Sequence, residues 1–207
     1  MGRRGRGKNP YVKDRFTQRA REEGFAARSV YKLEEIQRRL PFLKPGMRVV
    51  DLGCHPGSWT RYAVQIVGKR GAVVGIDIEP TTVPGAEILH ASIEDAPPER
   101  FRELLGGPAD VVLSDMAPRT TGDTFGDHVR QIELARLAAE VALELLKPGG
   151  HFVVKVFDGE DAHDYVQGLR PHFARCKRMR PEAVRQNSRE FFLVCLERQA
   201  PAPSAGA

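Results

Sequence analysis

Cysteine is scarce in this chain: three residues in 207, Cys54, Cys176 and Cys195, far apart and without C-x-x-C spacing. That is too few for a disulfide framework or a four-ligand zinc site, so structural thiols and no metal are expected. No run of eighteen apolar residues occurs, which excludes an ordinary membrane-spanning helix. The opening residues, MGRRGRGKNP, are basic but lack the apolar stretch of a secretory signal, so the expected location is the cytoplasm. With 41% hydrophobic and 29% charged positions, the length fits one soluble domain, or one domain with a small appendage, rather than two full domains.

Positive charge is abundant, and it is unevenly spread. Residues 1–40 carry a net charge of +7 and residues 174–190 a net of +4, while the whole chain is only +5. A neutral-to-acidic body with a basic segment near each end is the charge pattern of a polyanion-binding surface, and nucleic acid is the expected partner. Solvated basic tails are the plainer alternative.

From Arg48 to Arg198 short β-branched runs alternate with helical patterns, the signature of an α/β domain with a mostly parallel sheet. Seven strands are expected: Arg48–Gly53, Ala72–Ile78, Glu87–Ala91, Ala109–Asp115, His151–Phe157, about Ala174–Arg180, and Glu190–Arg198. Helices are expected over Trp59–Val67, Pro97–Leu105, Asp127–Leu146 and Ala162–Phe173, the third ended by KPGG at Lys147–Gly150. Ahead of the sheet, Tyr11–Glu23 and Ala27–Leu40 read as a basic helical appendage broken at Gly24 and stopped by Pro41. The domain is thus expected to run from 11 to 198, with the appendage at 11–40 and a Rossmann-like core at 48–198. It lies between a basic flexible tail at 1–10 and a Pro/Ala-rich disordered tail at 199–207. No coiled-coil heptad appears, and a monomer is expected.

The first strand runs into D-L-G-C-H-P-G-S-W-T, with glycines at Gly53 and Gly57. A glycine-bearing turn between strand and helix lets backbone N–H groups approach an anionic ligand. The spacing is neither G-x-G-x-x-G nor G-x-x-x-x-G-K-[ST], which excludes the pyrophosphate fingerprint of nicotinamide enzymes and the P-loop. Asp77, ending the second strand, could accept hydrogen bonds from both hydroxyls of an adenosine ribose. Together these features resemble the S-adenosylmethionine-binding methyltransferase fold. For Asp51, shaping the loop and touching the cofactor are equally open; Trp59, just after Gly57-Ser58, is expected to shape the pocket rather than only fill the core.

Five segments carry a more specific likeness: A-R-S-V-Y-K-L-E-E-I at 27–36, V-V-D-L-G-C-H-P-G-S-W at 49–59, V-L-S-D-M-A-P at 112–118, F-V-V-K-V-F-D-G at 152–159 and S-R-E-F-F-L-V at 188–194. In order and spacing the chain resembles the FtsJ-like ribose 2′-O-methyltransferases, specifically the single-domain bacterial members that act on large-subunit ribosomal RNA. The resemblance implies an α/β Rossmann-like fold, S-adenosyl-L-methionine as cofactor, large-subunit RNA or the large ribosomal subunit as partner, and a uridine ribose as target. It also implies a Lys-Asp-Lys-Glu tetrad, whose positions here hold Lys32, Asp115, Lys155 and Glu190.

Methyl transfer from a sulfonium to an alcohol needs alignment of oxygen, carbon and sulfur, and removal of the hydroxyl proton. A lysine serves as base only when neutral, a form favoured by burial or a nearby cation and opposed by carboxylates. The residues alone leave that balance open; the resemblance assigns Lys155 as base. Asp115 would hold the base and border the sulfonium, Glu190 would orient a lysine or the ribose, and Lys32 would fix the target nucleotide.

The chain departs from the family pattern in places. Cys54 and His55 stand where small residues are usual, and His55 is expected to be a loop residue. Ser92 stands where an Asp usually meets the adenine amino group, so Ser92, a backbone group, Glu94 or Asp95 would replace it. Phe192 stands where a tyrosine is frequent, which removes a hydroxyl. Phosphates would be met by Arg3, Arg4, Arg6, Lys8, Lys13, Arg15, Arg19, Arg21 and Arg28, and by Arg175, Lys177, Arg178, Arg180, Arg185 and Arg189. The 2′-OH would separate RNA from DNA. Transfer RNA or a messenger cap as substrate, or a non-catalytic ribosome assembly factor, are the competing readings.

Overall fold

The computed structural model describes residues 15–118, 124–185 and 188–200. The expected 1–10 tail, the start of the first helix at Tyr11 and most of the 199–207 tail lie outside the described residues. Two helices, α1 (Arg15–Glu22) and α2 (Val30–Arg39), precede the sheet. Then come β1 (Arg48–Leu52), α3 (Ser58–Val67), β2 (Ala72–Asp77), β3 (Glu87–His90), α4 (Pro98–Leu105), β4 (Ala109–Ser114), α5 (Thr124–Leu145), β5 (Leu146–Phe157), α6 (Ala162–Leu169), β6 (Phe173–Met179) and β7 (Glu190–Arg198).

The seven strands form one sheet in the order β3-β2-β1-β4-β5-β7-β6. The first five run parallel, and β7 is antiparallel to both its neighbours, β5 and β6. Strand order reverses between β1 and β4, and in such sheets the ligand crevice opens beyond the strand C-termini at that point.

Side-chain alternation along the strands divides the core into two layers. Val50, Leu52, Val74, Ile76, Val112, Phe152, Val154 and Leu193 face α4, α5 and α6 through Phe101, Leu105, Ile132, Ala138, Ala142, Leu145 and Tyr165. Val49, Val73, Val111, Leu113, Val153, Phe192 and Val194 face α2 and α3 through Leu33, Ile36, Trp59, Ala63 and Val67. The appendage is therefore part of the core, since Leu33 and Ile36 of α2 are fully buried. Its α1 joins through a smaller cluster of Ala20, Val30, Tyr31 and Ala183. Among the described residues, no helix is long and apolar enough to cross a membrane.

The elements agree with expectation except at some boundaries. The long helix stops at Leu145, and β5 starts earlier than expected, at Leu146 opposite Ala109; Lys147–Gly150 then bulge out of the register, which resumes with His151 opposite Val111. The helix expected to reach Phe173 ends at Leu169, followed by a 3-10 turn at Arg170–His172. Pro171 has no N–H to continue the helical ladder, so Phe173 is released to open β6.

Candidate active site

The turn after β1 is built around Gly53, whose N–H donates to the Ile76 carbonyl at 2.9 Å. Its φ is +75°, and a Cβ there would lie 2.3 Å from the Met116 side chain. Glycine is required on both counts, and its absent side chain lets the turn approach the loop after β4. Asp77 ties two loops together: one carboxylate oxygen accepts from the His55 N–H at 2.8 Å, the other from the Glu79 N–H at 2.9 Å. Each oxygen keeps a lone pair for a ligand.

A cleft of about 530 Å³ opens here, lined by Gly53, His55, Asp77, Ser92 and Asp115, with apolar walls from Ile78, Ile93, Met116 and Leu134. Ile78 is 61% exposed, an apolar side chain left at the rim. Of the seven residues expected to serve a cofactor, Gly53, Asp77, Ser92 and Asp115 line the cleft; Asp51, Gly57 and Trp59 do not. Gly57, at φ +93°, packs against Val83 and opens α3. Trp59 points under α2, where its indole N–H donates to the Ser29 carbonyl at 2.9 Å. Of the alternatives at the adenine edge, Ser92 lines the cleft, whereas Glu94 lines an adjoining hollow of about 300 Å³ with Arg130 and Glu133, and Asp95 lines neither. His55 sits at the cleft, its Nδ1 2.9 Å from the Thr81 hydroxyl.

Asp51 is fully buried and takes the Thr60 hydroxyl at 2.6 Å. This geometry is a brace between β1 and α3, the loop-shaping side of the two readings open in the sequence. Burial, above all, pushes its carboxyl up to about 7 from an ordinary 3.8. The folded state therefore holds a proton that the unfolded chain has lost between about pH 4 and pH 7, and stability falls as pH rises through that window. Urea unfolding at pH 5 and pH 8 is expected to show a larger drop for the native chain than for Asp51→Asn; equal drops would remove Asp51 as the cause.

Four charged side chains meet beyond the cleft. Lys32 comes from α2, Asp115 follows β4, Lys155 lies within β5 and Glu190 opens β7. Lys32 Nζ is 2.6 Å from Glu190 Oε1 and 3.9 Å from Asp115 Oδ1, and Lys155 Nζ is 3.1 Å from that same Oδ1. Lys155 Nζ also donates to the Asp115 carbonyl. The result is a chain of alternating charge, Glu190–Lys32–Asp115–Lys155, with all four side chains at most 17% exposed. On the far side of Lys32 and Glu190 lies a second hollow of about 520 Å³, lined also by Ala27, Arg28, Ser29, Arg185 and Ser188.

Supports that the sequence reading missed surround this network. Gln131, 1% exposed on α5, clamps β5 by donating to the Lys155 carbonyl at 2.7 Å and accepting from the Phe157 N–H at 2.8 Å. Glu35, one turn along α2 from Lys32, accepts from the Glu182 N–H at 2.8 Å and pairs with Arg39 at 2.6 Å. Polar residues inside otherwise apolar helix faces were the available signal for both. Phe192 is fully buried, with Lys32 Nζ 5.5 Å above its ring and Trp59 beside it at 5.6 Å.

Sheet order, glycine turn and strand-end acids define a Rossmann-like methyltransferase fold. The family model described as FtsJ-like methyltransferase matches residues 25–198, and the chain belongs to that family. It is 47% identical over 184 residues to the ribosomal RNA large subunit methyltransferase E of Desulfosudis oleivorans, covering 87% of this chain and 88% of the relative. It is 44% identical to the protein of that name from Sorangium cellulosum, covering 93% and 92%. A crystal structure of a ribosomal RNA methyltransferase from Plasmodium falciparum superposes with a TM-score of 0.74 at 25% identity, covering 84% of this chain and 98% of that one.

Proposed function

We propose that this enzyme methylates the 2′-hydroxyl of a uridine ribose in large-subunit ribosomal RNA, on the assembled or assembling subunit in the cytoplasm, with S-adenosylmethionine as donor. The observation that carries this reading is the Lys32–Glu190 and Lys155–Asp115 network set between two openings. The curated relatives are named for the same RNA.

The first cleft fits the donor. Asp77, fixed by two backbone N–H groups, would take the ribose hydroxyls; Ile78, Ile93 and Leu134 would flank adenine; Ser92 would offer a polar contact at its edge. When bound, the sulfonium supplies an electrophilic methyl group. The target ribose enters from the second hollow, where Arg28 and Arg185 attract phosphate and Lys32 and Glu190 orient the nucleotide. Lys155 Nζ accepts the hydroxyl proton. Its hydrogen bond to the Asp115 carbonyl and its place 3.1 Å from Asp115 Oδ1 would hold the amine in position for that role.

The reading is tested by tritiated methyl transfer to free ribosomal RNA and to isolated large subunits, followed by nucleoside mass spectrometry. One 2′-O-methyluridine is expected; a base-methylated nucleoside, or transfer to neither substrate, overturns it. Asp77→Ala is expected to weaken S-adenosylmethionine binding by about 10- to 100-fold in calorimetry, the loss of charge-assisted hydrogen bonds worth about 1.5–3 kcal/mol. Unchanged affinity would remove Asp77 from the site.

A further inference from the structure

Cys176 and Cys195 stand directly opposite each other on the antiparallel strands β6 and β7, and their sulfur atoms are 2.9 Å apart. Both are free thiols. Opposed residues of an antiparallel pair have Cα atoms about 4.5–5.5 Å apart, inside the span that a disulfide bridges. The two side chains share one face of the sheet, Cys195 fully buried in the layer beneath α6 and Cys176 half-buried against it. Because β6 is an edge strand, solvent reaches the pair through Cys176.

We propose that Cys176 and Cys195 form a reversible disulfide, a modification site that takes hydroperoxides as its oxidant. The surroundings assign the two roles. The Cys195 thiol beside it, and Arg170, hold the Cys176 thiol below its usual range, whereas the same contact and burial push Cys195 well above. A thiol held low is the nucleophile in such chemistry. The Cys176 thiolate attacks hydrogen peroxide: a sulfur–oxygen bond forms, the O–O bond breaks, and hydroxide leaves to become water. The Cys195 thiol then attacks the Cys176 sulfur, the S–S bond forms, the sulfur–oxygen bond breaks, and a second water leaves. Two thiols have given two electrons to one peroxide, and a dithiol reverses the change. Cys54 takes no part, since burial and the nearby Asp51 and Asp77 push its thiol up to about 12.

The bond closes a loop that contains Arg180, Arg185, Arg189 and Glu190. It joins strands that are already paired, so it locks the hairpin bearing Glu190 without displacing it.

The test treats the reduced full-length chain with hydrogen peroxide, counts thiols under denaturing conditions, and maps peptides without reductant. Expected are a fall from three free thiols to one, a mass lower by two hydrogens, a cross-linked peptide pair holding Cys176 and Cys195, and full reversal by dithiothreitol. The oxidised chain is expected to melt about 5–10 °C higher. Cys176→Ser should keep both remaining thiols after the same treatment; Cys195→Ala, which leaves the edge strand untouched, provides the second control. Three surviving thiols, oxygen added at Cys176 without a bridge, a bridge to Cys54, or cross-links between chains would each overturn the proposal.

Discussion

Lys155→Ala is expected to lower kcat for methyl transfer by about 10²- to 10⁴-fold, the range for removal of a general base, while S-adenosylmethionine affinity stays within a few-fold. The separation follows from position. Lys155 does not line the cleft proposed for the donor, whereas Asp115, its partner, does. Removing the lysine leaves Asp115 within 3.9 Å of Lys32, so the carboxylate is not abandoned and the cleft wall stands. Gln131 grips the backbone of Lys155 rather than its side chain, so β5 keeps its place. Calorimetry for the donor beside single-turnover transfer to the RNA would separate the two effects. A variant that retains its transfer rate would place the base elsewhere, and one that loses donor binding would make Lys155 structural.

Phe192→Ala is expected to destabilise the fold by about 3–5 kcal/mol, the usual cost of emptying a buried phenylalanine site, and to lower Tm by about 10 °C or more. The ring is completely buried, faces Trp59, and underlies Lys32. The cavity would therefore open beneath the ammonium that holds Glu190, and activity at temperatures where the variant is still folded should fall as well. Phe192→Leu refills most of the volume without the aromatic face. Recovery of stability but not of activity would assign the ring a role in seating Lys32; recovery of both would make it packing alone. The sequence had marked this position only as a tyrosine site lacking its hydroxyl, and burial shows how little room a hydroxyl would have.

Much of the architecture was readable because each β-branched run, such as RVVDL or ADVVLS, is buried on both faces and so reads as continuously apolar. The start of β5 was not: KPGG ends the long helix as its residues signal, but only the opposing Ala109 reveals that the strand begins before it, at Leu146. The four tetrad residues were legible through the motifs that hold them, and they do converge. Trp59 was read toward the pocket because it follows the glycine turn, but a sequence carries no direction for an indole, and Ser29 decides it. Glu35 and Gln131 carried only the signal of a polar residue on an apolar helix face; what they hold could not be read, because the groups are backbone ones far along the chain, at Glu182, Lys155 and Phe157.

The sheet order has a consequence for the growing polypeptide. Strand β7 is the last of the seven in sequence, yet it is inserted between β5 and β6. During synthesis, the five parallel strands and their helices can assemble from the N-terminal side, while β6 has no ladder to join until β7 emerges. Glu190, the first residue of that strand, then closes on Lys32 from the helix before β1. The ion network is thus finished by the final strand to arrive, and a nascent chain still missing it lacks the proposed catalytic centre.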